Sequence, residues 1–259
     1  MNLVTINDVV IGEGTPKICV SLMGKTIADL KREVALINEF DVDIIEWRAD
    51  YFGKVHDLET VKWALREIRP LIKTKPLLFT FRTKGEGGEL EMKDDFYFEL
   101  NRVMVRTGEV DLLDVELFHD ETAVAELVSH AHASNVKVLM SSHDFEKTPP
   151  RSEILARFAR MESLQADITK IAVMPENGAD ALVLLDAMNT LKNEATKPFV
   201  AISMGTLGVI SRLSGGFFGS AITYGSIGKA SAPGQVPVQN LRLILDALEA
   251  KSSEAFTEL

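Results

Sequence analysis

The chain switches between two hydrophobic periods, and it does so eight times. Short apolar or β-branched runs bounded by turn residues fall at 17–23, 42–48, 77–82, 111–117, 136–142, 167–174 and 198–204, with a weaker one at 220–224. Between them lie helical patterns at 27–40, 58–73, 94–107, 121–134, 151–164 and 178–195, then a short one at 207–213 and a closing one at 238–250. In 121–134, Ala123, Leu127, Val128 and Ala131 recur at three- and four-residue steps, which places them on one helix face. Parallel strands need long crossovers and helices supply them, so this alternation implies an α/β fold with a parallel sheet under helices. Eight such units suit a closed (β/α)8 TIM barrel. An open doubly wound sheet is the alternative, but no Gly-x-Gly-x-x-Gly follows the first strand. Residues 3–12 read as a β-hairpin outside the repeat, suited to closing the N-terminal bottom of the barrel. No linker or low-complexity segment interrupts the pattern, so one barrel domain is expected over 1–259.

A formal net charge of −10 argues against nucleic acid as a partner, because phosphate neutralisation needs basic surface. No apolar run approaches the roughly 18 residues that cross a bilayer. Residues 1–15 lack the basic flank and apolar stretch of a signal peptide, so no membrane association and a cytoplasmic setting are expected. The lone cysteine, Cys19, excludes an intrachain disulfide and reads as a core residue. No Cys/His spacing or acidic cluster has metal-ligand geometry, so no metal is expected.

Side chains two apart on a strand share a face. One face of the second strand carries Ile44, Glu46 and Arg48; of the third, Leu78, Thr80 and Arg82; of the fourth, Leu112, Asp114 and Glu116. The fifth aligns Leu139, Ser141 and His143, the sixth Ile168, Lys170 and Ala172, and the seventh Ala201 and Ser203. Polarity rises toward the C-terminal end on most of them, the end that carries active sites in barrels. Lys170 is the most informative member. An ammonium on a buried strand is expensive, so it is either paired with a fixed carboxylate or used as an amine nucleophile toward carbonyl compounds. The competing structural reading pairs Glu46 and Arg48 with each other, or with Asp114 and Glu116, as a buried ionic layer. His143 falls at a strand-to-loop transition, whereas His56, His119, His130 and His132 read as surface or packing residues.

Three loops add to the site. Residues 81–88 form a glycine-rich turn carrying Glu86, and Ser211 and Arg212 follow the seventh strand. Residues 226–235 are small and polar and read as a lid tipped by Ser231 and Gln235. Gly205 to Gly208 would suit a phosphate only weakly. Arg48, Arg82 and Arg212 around one mouth point to an anionic, carboxylate-bearing substrate. Lys170 points to a carbonyl that becomes an imine, and His143 to a base that takes the adjacent proton and later protonates a departing hydroxyl. Glu86 is placed to fix the imidazole.

Glu46-Trp47-Arg48, Phe79-Thr80-Phe81-Arg82 with Glu86-Gly87-Gly88, and Ser142-His143-Asp144-Phe145 resemble signature segments of type I 3-dehydroquinate dehydratases. So do Lys170-Ile171-Ala172, Ile210-Ser211-Arg212-Leu213 and Ala230-Ser231-Ala232-Pro233-Gly234-Gln235, in order along nearly the whole chain. The resemblance implies a cofactor-free homodimer that dehydrates 3-dehydroquinate to 3-dehydroshikimate in the shikimate pathway. It implies that Lys170 forms the Schiff base, His143 is the general acid/base and Glu86 orients it. It further implies that Arg212, Gln235 and Ser231 bind the substrate carboxylate, and that Ser21, Glu46, Arg48 and Arg82 contact the ring hydroxyls or complete the pocket's polar network. Two positions depart from the pattern: Ile202 where methionine is expected and Gly228 where a bulkier lid residue is expected. A class I aldolase or transaldolase-type enzyme, and a silent barrel that binds a sugar acid or acts as a regulator, are the competing readings. The first would usually need a phosphate site, and the second would be expected to lack the lysine or histidine.

Overall fold

A computed structural model describes residues 2–254; Met1 and 255–259, included in the single-domain expectation, lie outside the described residues. The eight expected strands form as β3 (Lys17–Leu22), β4 (Ile44–Arg48), β5 (Leu77–Thr80), β6 (Leu112–Glu116), β7 (Lys137–Asp144), β8 (Ile168–Val173), β9 (Phe199–Ser203) and β10 (Ile222–Ser226). They pair in sequence order and in parallel. The ring closes where Phe199 bridges Ser220 and the Ala221 amide donates to the Phe199 carbonyl at 2.8 Å. Helices α1 (Ile27–Ile37), α2 (Leu58–Ile72), α3 (Asp94–Arg106), α4 (Glu121–Ala133), α5 (Arg151–Ser163), α6 (Gly178–Glu194), α7 (Val209–Ser214) and α8 (Val238–Glu254) return the chain between strands and close it. The fold is the expected (β/α)8 barrel. Among the described residues, no helix is long and apolar enough to cross a membrane.

Register is pinned by a repeated device. Asp43, Asp111 and Asp167 each stand just before an even-numbered barrel strand and accept from the strand before it. Their carboxylates take the amides of Ile18, Leu77 and Val138 at 2.7, 2.8 and 2.9 Å. Their own amides donate to the carbonyls of the same three residues. A one-residue slip would break both bonds and turn every side chain to the opposite face.

Strand alternation divides the core in two. Outward residues such as Ile45, Trp47, Phe79, Val115, Met140 and Ile171 pack under the helices. Trp47 is fully buried and meets Phe52 and Phe79 edge-on at 5.8 and 5.5 Å. Truncating it to alanine would cost about 3–5 kcal/mol. The α4 stripe is Val124, Leu127, Val128 and Ala131, with Ala123 half-buried beside it. Inward residues at the strand starts, Cys19, Ile44, Leu78, Leu112, Leu139 and Ile168, form a second apolar cluster. The hairpin β1 (Val4–Ile6) and β2 (Val9–Ile11) joins that cluster through Val4, Ile6 and Ile11 and closes the bottom. Cys19 is a core residue, as expected.

Two strand expectations need correction. On β9 the inward residues are Val200 and Ile202, continued by Met204, whereas Ala201 faces the helices. Small residues are required on the outward side, because a Cβ on Gly208 at the start of α7 would stand 2.3 Å from the Ser203 backbone. The last barrel strand begins two residues later than expected and ends at Ser226, where β11 (Val236–Pro237) pairs alongside it.

Candidate active site

With apolar residues filling the bottom of the barrel, the polar inward residues collect at the C-terminal mouth. They enclose a cavity of about 50 Å³ lined by Glu46, Arg48, Arg82, Glu86, His143, Lys170, Arg212, Ser231 and Gln235, with Ile202, Met204 and Tyr224 as apolar wall. Nine of the ten residues singled out from sequence line it, and the tenth, Ser21, hydrogen-bonds two of them. A larger cavity of about 310 Å³ lies outside the barrel against Pro16, Leu213, Phe217 and Leu245. Its charged residues are Lys192, which donates to the Phe217 carbonyl, and Glu249, which accepts from the Thr15 hydroxyl.

Lys170 lies on β8 opposite Ser141, two residues below His143 on β7, so both side chains enter from adjacent strands on one face. Among the described residues, no carboxylate lies within ion-pairing distance of Lys170. Burial lowers its pKa from the ordinary lysine value, and the Arg82 charge adds to that, while Glu46, Asp114 and Cys19 oppose it. Glu46 does not pair with Arg48. It accepts from the hydroxyls of Ser21 and, at 3.1 Å, Thr80.

His143 sits beside Glu86, with Nδ1 at 2.9 Å from Oε2, and its amide donates to the same oxygen at 3.1 Å. Burial, then Arg82, Lys170 and Arg48, hold the imidazole well below its ordinary pKa. Burial, then the charge of Glu116, pushes the Glu86 carboxyl up, against Arg82. Burial thus disfavours the charged form of each member. Two glycines make this approach possible. A Cβ on Gly88 would stand 1.9 Å from the Arg82 carbonyl oxygen, and one on Gly87 (φ 84°) would stand 2.1 Å from the Phe145 ring. Strand β7 runs on through Asp144, so His143 is held by the ladder rather than by a loop.

The three arginines divide into different roles. Arg82 is the hub of an ionic layer: its guanidinium donates to Asp114 at 2.7 Å, to Glu116 at 2.8 Å and to the Ser141 hydroxyl at 2.9 Å, with Glu86 at 3.3 Å. Asp114 and Glu116 thus form the ionic layer, joined to Arg82. Burial opposes ionisation of Glu116, but Arg82, His119 and Thr83 prevail and hold it at about 2. His119 belongs to this support rather than to the surface, stacked on Tyr97 at 4.4 Å. Arg48 is clamped by Asp50, whose two oxygens each accept at 2.8 Å. Asp50 also takes the Glu89 amide at 3.2 Å, tying the glycine-rich turn to the same carboxylate. Arg212 has no carboxylate partner. One of its nitrogens donates to the Pro233 carbonyl at 3.1 Å, and its buried Nε and the other terminal nitrogen have no partner. Burial pulls it down to about 10.

The lid lies closed over the pocket. The Ser231 amide donates to Gln235 Oε1 at 2.9 Å, Gln235 Nε2 donates to the Ser231 hydroxyl at 2.8 Å, and that hydroxyl lies 3.0 Å from the Ser21 hydroxyl. The Gly205 amide donates to Pro233, so it serves the lid rather than a phosphate. Gly228 has φ 71°, a conformation that explains glycine in place of a bulkier residue. Sequence patterning missed Asp50, on a short 3-10 turn beyond β4 where alternation no longer fixes direction, and Tyr224, on the strand whose limits were misjudged.

Charge of both signs buried at the C-terminal mouth of a (β/α)8 barrel defines the class as a barrel enzyme. A model of the type I 3-dehydroquinase family matches residues 18–252. A 3-dehydroquinate dehydratase of Listeria monocytogenes serotype 4a (strain HCC23) is 54% identical over 248 residues, covering 96% of this chain and 98% of that protein. One of Syntrophotalea carbinolica is 52% identical over 253 residues, covering 97% and 100%. Among solved structures, the type I 3-dehydroquinate dehydratase of Clostridium difficile, with covalently modified comenic acid, superposes with a TM-score of 0.94 at 46% identity, covering 96% and 99%. The chain belongs to the type I 3-dehydroquinase family.

Proposed function

We propose that this chain dehydrates 3-dehydroquinate to 3-dehydroshikimate in the shikimate pathway, through an imine on Lys170 with His143 as proton carrier. The observation that carries the reading is the buried Lys170 amine, without an ion-pair partner, beside His143 and the unpaired Arg212 guanidinium. Arg212 holds the substrate carboxylate with Ser231 and Gln235, and Arg48, Glu46, Arg82 and Ser21 serve the ring hydroxyls. The uncharged Lys170 amine adds to the ketone carbon; the carbinolamine hydroxyl takes up one proton from solvent and leaves as water, so a protonated imine remains, and the final hydrolysis returns that proton. Neutral His143 removes a proton from the neighbouring CH2, and the electron pair moves into the ring to make an enamine. The hydroxyl one carbon further departs with the proton His143 holds, and hydrolysis frees the product and the amine. The net change is loss of one water.

Glu86 keeps the imidazole aimed, and the Arg82 layer keeps Glu86 in place. A cavity of about 50 Å³ holds no more than a few waters, so the lid opens to admit a ring. The covalently modified comenic acid in the Clostridium difficile relative supports a pocket suited to ring acids that bear a carbonyl. The family resemblance further supports one barrel domain per chain, assembled as a homodimer in the cytoplasm. The test is turnover: purified protein with 3-dehydroquinate is expected to yield a conjugated enone, read by its strong ultraviolet absorbance. Cleavage of an aldol without enone formation would instead establish the aldolase reading.

A further inference from the structure

Tyr224 is the inward residue of β10, paired in register with Cys19 of β3. It is 4% exposed and walls the pocket. Its ring reaches across the barrel to β8, where Lys170 Nζ stands 4.2 Å from the ring centroid. A buried phenol usually finds a hydrogen-bond partner for its hydroxyl, yet among the described residues this one has no oxygen or nitrogen partner and only the Cys19 thiol beside it. The part of Tyr224 that meets the Lys170 amine is its face. That face carries the negative end of the ring quadrupole, and it attracts a cation most strongly where water is excluded.

We propose that Tyr224 is a catalytic residue whose ring face stabilises the positive charge on the Lys170 nitrogen in the protonated imine. The proposal rests on the imine reading above. When the carbinolamine hydroxyl takes up a proton and leaves as water, the nitrogen keeps its own proton and becomes cationic; removal of the neighbouring C–H proton by His143 then returns an electron pair to it. An imine that lost its proton would no longer draw that pair, so the nitrogen must stay protonated at working pH. Several groups act on it. Glu46 of β4 and Asp114 of β6 favour the cation, as does Cys19 of β3; burial and Arg82, beyond β5, oppose it. Arg48 of β4, Glu86 of the glycine-rich turn, His143 of β7 and Arg212 of α7 complete the charged wall, with Arg48 held by Asp50. Against the guanidinium charges of the mouth, a ring in contact with the nitrogen is a compensation that does not itself titrate at neutral pH, since burial pushes the Tyr224 hydroxyl well above its ordinary pKa.

The ring should raise the proton affinity of the imine about tenfold, which is about one pH unit. The alkaline limb of kcat, measured for the wild type, Tyr224→Phe and Tyr224→Leu, reads this directly. Tyr224→Phe is expected to keep the wild-type limb, and Tyr224→Leu to move it about one unit to lower pH. Borohydride yield on Lys170 at alkaline pH should fall in parallel, because borohydride reduces the protonated imine. An unmoved limb in folded Tyr224→Leu, or an equal shift in Tyr224→Phe, overturns the proposal. A series of fluorinated phenylalanines at 224 keeps shape while draining charge from the face, and covers the case in which Tyr224→Leu does not fold. A limb that descends with fluorination supports the ring; a constant limb overturns it. Absence of any Lys170 adduct in the wild type, with turnover intact, removes the imine reading itself, a result separable from either outcome.

Discussion

Replacing Arg212 by methionine should make the protein more stable and the enzyme much worse. Arg212 is 2% exposed and faces no carboxylate among the described residues, and burial lowers its pKa from the ordinary arginine value to about 10. At about 1.4 kcal/mol for each tenfold change in acid strength, keeping that charge in the folded barrel costs about 3 kcal/mol at neutral pH. The side chain is still protonated there, because about 10 lies well above 7. Arg212→Met removes the charge, fills similar volume and gives up the bond to the Pro233 carbonyl, worth about 1 kcal/mol. The balance is a gain of about 2 kcal/mol, or roughly 4–8 °C in Tm for a chain of this size. The substrate carboxylate loses its buried partner at the same time. Loss of such a pair costs about 2–5 kcal/mol, so kcat/KM should fall by roughly 30- to 5,000-fold. Thermal melts without ligand and initial rates of enone formation measure the two sides. A lower Tm together with less than a tenfold loss in kcat/KM would refute the assignment of Arg212 as an uncompensated anion-binding charge.

Two further outcomes follow from the charge layout. His143 should titrate below the ordinary histidine value of 6.5, since burial and the cations Arg82, Lys170 and Arg48 all disfavour its protonated form; NMR of labelled histidines gives the value, and a midpoint above 6.5 contradicts the account. Glu116→Gln should lose about 3 kcal/mol of stability at pH 7, because Glu116 is held at about 2 against an ordinary 4.5. A folded pKa below the unfolded one gives stability that is complete above about 4.5 and disappears as pH falls to about 2. Urea unfolding across that window should therefore show the gap between wild type and variant closing, and a pH-independent gap would contradict the ionic role.

Strands β4 to β8 are legible in sequence because each alternates an apolar outward series with an inward series that turns polar only near its end. The phase put Glu46, Arg82, His143 and Lys170 in one mouth before any contact was known. The same logic fails on β9, where Ala201 and Ser203 are small for packing reasons and the inward Val200 and Ile202 are apolar. Polarity marked the wrong face there. The partners of the arginines are less legible still. Arg48 finds Asp50 two residues on, past the end of the strand, and Arg82 gathers carboxylates from β6 and from the glycine-rich turn. Three arginines near one mouth therefore reduce to one uncompensated charge, which only the three-dimensional pairing reveals. The lid's composition reads as mobile, but its docking depends on Gly234, where a Cβ would stand 2.4 Å from the Gly205 backbone.

The central claim is that the Lys170 amine bonds to the substrate's ketone carbon. Borohydride added to enzyme turning over 3-dehydroquinate, followed by peptide mass analysis, measures this directly. The account predicts a substrate-derived mass increase on the peptide that contains Lys170, formed only when substrate is present, with activity lost in proportion. An unmodified Lys170 in enzyme that continues to turn over at its full rate would contradict it.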